Sequence, residues 1–195
     1  MKKKKIVLAS KSPRRLELLN NLNTDFQVMV SDADESKVPK DLSPQMYVQE
    51  LAVLKCTSVA SKCKKDCIII GADTIVLHRG EIIGKPKDRE DAVKILSRLS
   101  GNTHYVYTGF AVTDCADGKT VSGYEMTEVH FKELTLGEIE KYIDDEPPFD
   151  KAGAYGIQGR AGLFVDWLKG DFFNVVGLPI CALNNLMTKE FNITL

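Results

Sequence analysis

The sequence has no long apolar run and no excess of one charge. None of its apolar stretches approaches the roughly 18 residues that a helix needs to span a bilayer, so we expect no membrane partner. The 26 basic and 27 acidic residues leave a net charge of −1. A dedicated nucleic-acid binder would show a basic face, and this balance argues against one.

Cysteine and histidine are too few and too scattered to suggest a zinc site. The five cysteines include no CxxC pair, and the three histidines, at positions 78, 104 and 130, lack ligand spacing. The odd number of cysteines indicates reduced thiols, which persist in the cytosol. After the basic run at residues 2–5, the apolar residues 6–9 are too few for a secretory signal. We therefore expect a cytoplasmic protein.

The length and the apolar content suit an α/β protein. The chain has 195 residues and is 44 % apolar, so one domain spanning residues 1–195 can bury a sizeable core. Helices and strands alternate at first, and hairpins follow in the middle of the chain. These patterns predict a mixed twisted sheet with flanking helices.

A buried strand leads into the first candidate catalytic residue. Residues 67–70 read Cys-Ile-Ile-Ile, a run typical of a strand covered on both faces. We expect the strand to end in Gly71-Ala72-Asp73, which would deliver Asp73 to the carboxyl edge of the sheet, where α/β proteins build their sites. The alternative is an aspartate that caps a turn, and this stretch alone leaves both open.

The first strand–helix connection carries two arginines. Residues 6–9 predict a strand, Ser12 fits an N-cap and Pro13 fits the first helical position. Arg14 and Arg15 follow in the first turn, where the helix dipole prefers negative groups. An anion docked at this helix start would explain them. Two solvated arginines with ion pairs elsewhere are the alternative.

Further candidates lie on later loops and helices. Ser43 and Pro44 begin a helix in which Lys55 lies on or beside the apolar face, either snorkelling to solvent or pointing into a site. The acidic loop at residues 31–35 could supply a metal ligand, although such loops are usually solvated. Lys85, between Gly84 and Pro86, would suit a phosphate contact.

The second half of the chain predicts hairpins and two capped helices. Arg79-Gly80 turns one hairpin, and residues 116–118 turn another. Asp88 caps one helix, and Thr135 with Glu138 forms a capping box for the next. Residues 150–159 predict a glycine-rich loop and strand whose Gln158 can offer a donor and an acceptor to a base edge. Residues 164–168 and 172–176 predict a last hairpin, before a helix that begins at Pro179.

Six blocks of the sequence together resemble the Maf family of nucleotide pyrophosphatases. They occur in family order over nearly the whole chain, and they read ASKSPRR (9–15), GADT (71–74), GKP (84–86), LSGNTH (99–104), DKAGAYGIQG (150–159) and NVVGLP (174–179). The resemblance implies an ITPase-like fold with two lobes around a cleft. It implies hydrolysis of a nucleoside triphosphate to the monophosphate and pyrophosphate with Mg²⁺ or Mn²⁺. A homodimer is plausible by the same analogy.

The resemblance also implies roles for individual residues. Asp73 would be the catalytic acidic residue and, with Glu35, a metal ligand; Asp32 and Asp34 compete with Glu35 for that role. Arg14, Thr74 and Gln158 match the branch that acts on dTTP and UTP. The predicted substrate-binding set is Ser10, Arg14, Arg15, Lys55, Thr74, Lys85, Lys151 and Gln158.

Two functions follow as hypotheses. The first is a house-cleaning pyrophosphatase that removes dTTP, UTP and modified pyrimidine nucleotides before they enter nucleic acids. The second is a nucleotide-binding regulator of cell division and septum formation with little turnover. The acid at position 73 favours the enzyme, because a sensor need not keep a catalytic acid. The four cations that the resemblance assigns to the phosphates favour it as well, and they are Arg14, Arg15, Lys55 and Lys85.

Overall fold

The computed structural model describes residues 4–195. The first part of the basic run at residues 2–5 lies outside that range. Lys4 forms an ion pair with Asp114, and Lys5 lies 3.5 Å from a carboxylate oxygen of Asp66. Within residues 4–195, no helix has both the length and the apolar character needed to cross a membrane.

Seven strands form a mixed sheet, as the alternating pattern predicts. The strands are β1 (Lys5–Leu8), β2 (Phe26–Val28), β3 (Cys67–His78), β4 (Glu81–Ile83), β5 (Thr103–Asp114), β6 (Thr120–Phe131) and β7 (Val165–Lys169). Their order is β2-β1-β3-β5-β6-β7, and β4 pairs with β3. β1 is parallel to both β2 and β3, whereas β3–β4 and β6–β7 are antiparallel.

The helices begin where the capping signals indicate. They are α1 (Pro13–Asn21), α2 (Pro44–Ala60), α3 (Arg89–Leu99), α4 (Leu136–Asp145), α5 (Phe172–Val176) and α6 (Ile180–Phe191). Ser43 and Asp88 accept capping hydrogen bonds, and Thr135 with Glu138 forms the predicted capping box. Ser12 occupies the N-cap position of α1, but its side chain makes no capping bond.

The predicted end of the strand at Gly71-Ala72-Asp73 is wrong. β3 continues from Cys67 to His78, so Asp73 lies within the strand rather than at its carboxyl end. Gly71 serves close packing instead: a Cβ there would lie 2.6 Å from the Ala52 carbonyl oxygen and 2.9 Å from the Cys56 sulfur, both on α2. The predicted hairpin beyond it is confirmed, with Arg79 and Gly80 at positive φ in the turn between β3 and β4.

The predicted last hairpin is also wrong in its second half. Val165–Lys169 forms a strand on β6, but Phe172–Val176 is the short helix α5. Asp171 accepts a hydrogen bond from the Phe173 N–H at 2.8 Å, which starts a helical turn. The Asn174 amide then donates to the Val106 carbonyl and to the Thr127 hydroxyl, both at 2.9 Å. These long-range bonds favour the helix over a strand.

The predicted strand within residues 150–159 is absent. The segment instead contains the 3₁₀ helix Ala152–Ala154 and turns. Gly153 and the fully buried Ala154 have φ values of 71° and 59°. Two successive residues in the left-handed region cannot continue a strand.

Two compact units make up the chain, which agrees with the two lobes that were predicted. The first unit comprises the chain up to Asp73 together with Thr108–Glu125 and Gly177–Leu195. The second unit comprises Thr74–Tyr107 and Met126–Val176. The first unit has an aliphatic and thiol core, and the second has an aromatic cluster around His104 and Phe131.

Candidate active site

The predicted site residues divide between the two units. The first unit holds Ser10, Arg14, Arg15, Glu35, Lys55 and Asp73; the second holds Thr74, Lys85, Lys151 and Gln158. Asp73 and Thr74 are consecutive residues of β3.

Lys55 joins the two predicted metal-binding carboxylates. Its ammonium group makes an ion pair with Asp73 and lies 3.0 Å from a Glu35 carboxylate oxygen. The Lys55 and Asp73 side chains are only 15 % and 16 % exposed. The lysine therefore points at Asp73 rather than snorkelling away from it. Because Asp73 lies in a strand and its carboxylate binds Lys55, the turn-capping alternative does not hold.

Within the acidic loop, Glu35 has a different partner from Asp32 and Asp34, which compete with it for the role of metal ligand. Asp32 accepts from the Ser58 hydroxyl at 2.8 Å and pairs with Lys62 at 2.6 Å. Asp34 caps the 3₁₀ helix Glu35–Lys37 by accepting from the Ser36 N–H at 3.1 Å. Hydrogen bonds from Lys62 and from Ser36 respectively lower the pKa of these two carboxyl groups. Both competitors are thus engaged elsewhere, whereas Glu35 meets the cation that binds Asp73.

The carboxylates of Asp73 and Glu35 provide some, but not all, of the ligands that a hard divalent cation needs. Carboxylate oxygens are the ligands that Mg²⁺ and Mn²⁺ prefer, and Mg²⁺ commonly uses one or two carboxylates together with substrate phosphates. Among residues 4–195, no group of three or more His, Cys, Asp or Glu side chains is arranged to hold a metal ion. Asp73 and Glu35 are the two carboxylates here that could hold such a cation.

Arg15 is a buried anchor at the start of α1. Its Nε donates to the Gly177 carbonyl at 2.7 Å, and its Nη1 donates to the Ala72 carbonyl at 2.9 Å and to the Ser10 hydroxyl at 3.3 Å. Ser10 also accepts from the Ser12 N–H at 3.2 Å. Burial lowers the pKa of Arg15, and the charge of Asp73 opposes that shift. These contacts tie the loop between β1 and α1 to the backbone beside Asp73.

Tyr47 belongs to the same part of the first unit, although it is not among the predicted site residues. It lies on α2 eight residues before Lys55, a spacing that puts both on one face of a helix. Burial raises the pKa of the Tyr47 phenol, and the negative charges of Asp73 and Glu35 raise it further. The helical spacing from Lys55 was the signal that could have identified it.

The second unit places two predicted lysines on connected loops. Lys85 is exposed in the loop after β4, and the Gly153 N–H donates to the Gly84 carbonyl at 3.0 Å. Lys151 pairs with Asp150 at 2.9 Å. A Cβ on Gly153 would lie 2.9 Å from the Val76 side chain, so the loop packs closely on β3.

Gln158 lies exposed in a tight turn of the second unit. The Gly159 N–H donates to the Gly156 carbonyl at 3.1 Å, which leaves Ile157 and Gln158 in the centre of the turn. An exposed amide on a closed turn can offer both a donor and an acceptor to a ligand.

Comparisons with known proteins give consistent matches over the whole chain. Residues 5–190 match the family described as Maf-like protein. The chain is 52 % identical over 191 residues to a protein named dTTP/UTP pyrophosphatase from Alkaliphilus metalliredigens (strain QYMF), with 98 % of each chain covered. Relatives of the same name from Alkaliphilus oremlandii (strain OhILAs) and Clostridium botulinum (strain Kyoto / Type A2) are 50 % and 47 % identical. These alignments cover 98 % and 95 % of this chain, and 99 % and 97 % of the relatives.

One solved structure shows a weaker likeness. A HAM1 protein from Coxiella burnetii superposes with a TM-score of 0.42 at 15 % identity, over 65 % of this chain and 72 % of that chain. A TM-score below 0.5 is too low to support a conclusion about the fold.

Proposed function

Because the chain belongs to the Maf family, we propose that it hydrolyses dTTP and UTP to the nucleoside monophosphate and pyrophosphate with the help of Mg²⁺ or Mn²⁺. The observation that carries this proposal is Lys55 held against Asp73 and Glu35. Relatives about half identical in sequence are named dTTP/UTP pyrophosphatase, which supports the choice of substrate.

Cations of the first unit would bind the phosphates. A triphosphate carries roughly four negative charges, and positioned cations stabilise the charge that develops during phosphoryl transfer. Arg14 lies in the first turn of α1, where the helix dipole favours an anion. Arg15 would act mainly by fixing this loop, since its Nε and Nη1 already donate to carbonyl groups. Ser10 would support the same geometry.

Asp73 would carry the chemistry. Together with Glu35 it would hold the divalent cation, which supplies charge stabilisation at the phosphoryl group and a more acidic water. The Asp73 carboxylate can also take the proton from the attacking water as a general base. Lys55 binds the carboxylates of both Asp73 and Glu35, and it would also contact a phosphate oxygen of the substrate.

Residues of the second unit would contribute substrate contacts and selection of the base. We propose that Gln158 and Thr74 contact the pyrimidine, and that Lys85 and Lys151 contact phosphates. The enzyme would act in the cytoplasm as a house-cleaning pyrophosphatase that limits misincorporation, and the odd number of cysteines supports a reducing compartment. We also propose a homodimer by analogy with the family.

The test is pyrophosphate release from dTTP, UTP, CTP, GTP and 7-methyl-GTP with Mg²⁺ or Mn²⁺. We expect turnover of dTTP and UTP, and a loss of about 10²–10⁴-fold in kcat for Asp73→Asn, the typical cost of losing a general base. Asp114→Asn is the matched control, because it weakens another lysine–aspartate pair of the first unit.

Three other outcomes of this test would contradict different parts of the proposed function. Near-full turnover by Asp73→Asn would refute the role of Asp73. A preference for 7-methyl-GTP would refute the substrate assignment but keep the reaction. Tight nucleotide binding without turnover would favour a regulator of cell division over an enzyme.

A further inference from the structure

The last turn of α4 holds the tight turn that carries Gln158. At one end of the tight turn, the Gly156 N–H donates to the Tyr142 hydroxyl at 3.3 Å. At the other end, the Arg160 N–H donates to a Glu146 carboxylate oxygen at 2.9 Å. Tyr142 lies in α4 and Glu146 is its C-cap residue, so one short segment binds both ends of the tight turn.

The Tyr142 ring and the Glu146 backbone are held by further contacts. Tyr142 is 2 % exposed, and its ring packs edge-on against Phe164 with centroids 5.2 Å apart. The Glu146 N–H donates to the Tyr142 carbonyl at 2.8 Å, which ends the helix in a defined geometry. A fixed support of this kind transmits its geometry to the backbone that it binds.

Glycine at position 159 lets the Glu146 carboxylate lie close to the backbone of the tight turn. A Cβ on Gly159 would lie 2.3 Å and 2.4 Å from the two carboxylate oxygens of Glu146. The φ of Gly159 is −99°, which any residue can adopt, so an added methyl group would displace the flexible end of the Glu146 side chain rather than strain the backbone. Gly156 has a similar neighbour, because a Cβ there would lie 2.9 Å from Cε of Lys151. The tight turn is therefore packed against these two side chains at both of its glycines.

We infer that Glu146 is a positioning residue for nucleobase selection, acting through the turn that carries Gln158. This inference rests on the proposed function, in which Gln158 contacts the pyrimidine. An amide distinguishes a ring carbonyl from a ring amino group only if its donor and acceptor are held in a fixed orientation. Glu146 supplies that orientation by binding the backbone two residues after Gln158.

The test compares UTP with CTP, which share the same sugar and whose bases differ in a carbonyl and an amino group on the ring. We expect Glu146→Ala to lower the ratio of kcat/KM for UTP over CTP on the order of tenfold, mainly through a higher KM for UTP, because a charge-assisted hydrogen bond is lost. Glu146→Gln should largely restore the ratio, since its amide oxygen can still accept from the Arg160 N–H. Glu140→Gln is the matched control: it removes a charge from an exposed side chain of α4 that lies 3.7 Å from Arg89.

Two further variants separate positioning from a general loss of structure. Gly159→Ala should reproduce the loss of selectivity, because its Cβ would displace the Glu146 carboxylate, and it covers the case in which Glu146→Ala fails to fold. In the background of Gln158→Ala, the change Glu146→Ala should alter the ratio no further. If Glu146 had a purely structural role, the losses in the ratio caused by Glu146→Ala and by Gln158→Ala would instead add.

The inference and the proposed function fail in different ways. If the wild type prefers UTP to CTP and Glu146→Ala keeps that preference, the positioning role is overturned and the proposed function stands. Additive losses with Gln158→Ala would also overturn it. A wild type that releases pyrophosphate from none of the nucleotides would refute the proposed function, and the selectivity role with it.

Discussion

Replacing Gly71 with alanine is the sharpest test of how the first unit holds Lys55 against Asp73. The added methyl group would lie 2.6 Å from the Ala52 carbonyl oxygen and 3.1 Å from the Cys56 backbone nitrogen. Both atoms belong to the backbone of α2, which also carries Lys55. Since a helix backbone cannot rotate out of the way as a side chain can, α2 must move away from β3.

The size of the effect follows from these distances. Ordinary contacts begin near 3.4 Å and the added Cβ would lie 2.6 Å from the carbonyl oxygen, so the helix must shift by about 0.8 Å to restore an ordinary contact. Overpacking of this kind typically costs about 1–3 kcal/mol in the free energy of unfolding. Gly71 is two residues from Asp73, and Ala52 is three residues from Lys55. The same shift would therefore stretch the ion pair and lower kcat, because misplacement by about 1 Å can cost 10²-fold.

Urea unfolding and pyrophosphate release measure the two effects. Gly137→Ala is the matched control, because a Cβ there meets no atom within 4 Å and the residue lies in α4. Its helical position makes a small gain in stability the expected result. A Gly71→Ala variant that is as stable and as active as the wild type would refute the reasoning about close packing of α2 on β3.

Two further predictions concern buried titratable groups. Burial lowers the pKa of His104 to about 3 from an ordinary 6.5, so the folded protein cannot take up the proton that the unfolded chain accepts below pH 6.5. The free energy of unfolding, measured with urea, should therefore fall by about 2 kcal/mol from pH 7 to pH 5. If it falls by the same amount in His104→Gln, His104 is not the cause. Burial also raises the pKa of the Cys56 thiol to about 12, whereas Cys181 is exposed. Iodoacetamide at pH 8 should modify Cys181 and spare Cys56, as mass spectrometry of digested peptides would show; equal labelling of the native protein would contradict the burial of Cys56.

Short-range signals determined much of the fold in advance. Ser43, Asp88 and the Thr135–Glu138 pair mark their helix starts correctly, because a capping bond spans only two or three residues. The turn at Arg79-Gly80 was equally clear, since a tight hairpin turn needs residues that accept positive φ. The mixed sheet followed from the order of these elements.

The candidate site was predicted in part. The sequence selected Asp73, Lys55 and Glu35, and the structure brings these three together. The sequence did not reveal Tyr47 or Glu146. Tyr47 matters only because α2 packs where Asp73 and Glu35 lie, and Glu146 only because α4 ends against Gly159.

The sequence by itself determined the capped helix starts and the turn at Arg79-Gly80, because each depends on neighbours within a few residues. Asp73 was selected as the candidate catalytic residue by the resemblance of six sequence blocks, since its own neighbours left a turn cap open as the alternative. Tertiary structure alone decided that β3 runs on through Gly71, that residues 172–176 form a helix and that Arg15 is a buried anchor. In each case the deciding partner is remote in the chain: Ala52 for Gly71, Val106 for Asn174 and Gly177 for Arg15. Local propensity cannot encode a close approach or a hydrogen bond whose partner is brought in by the rest of the fold.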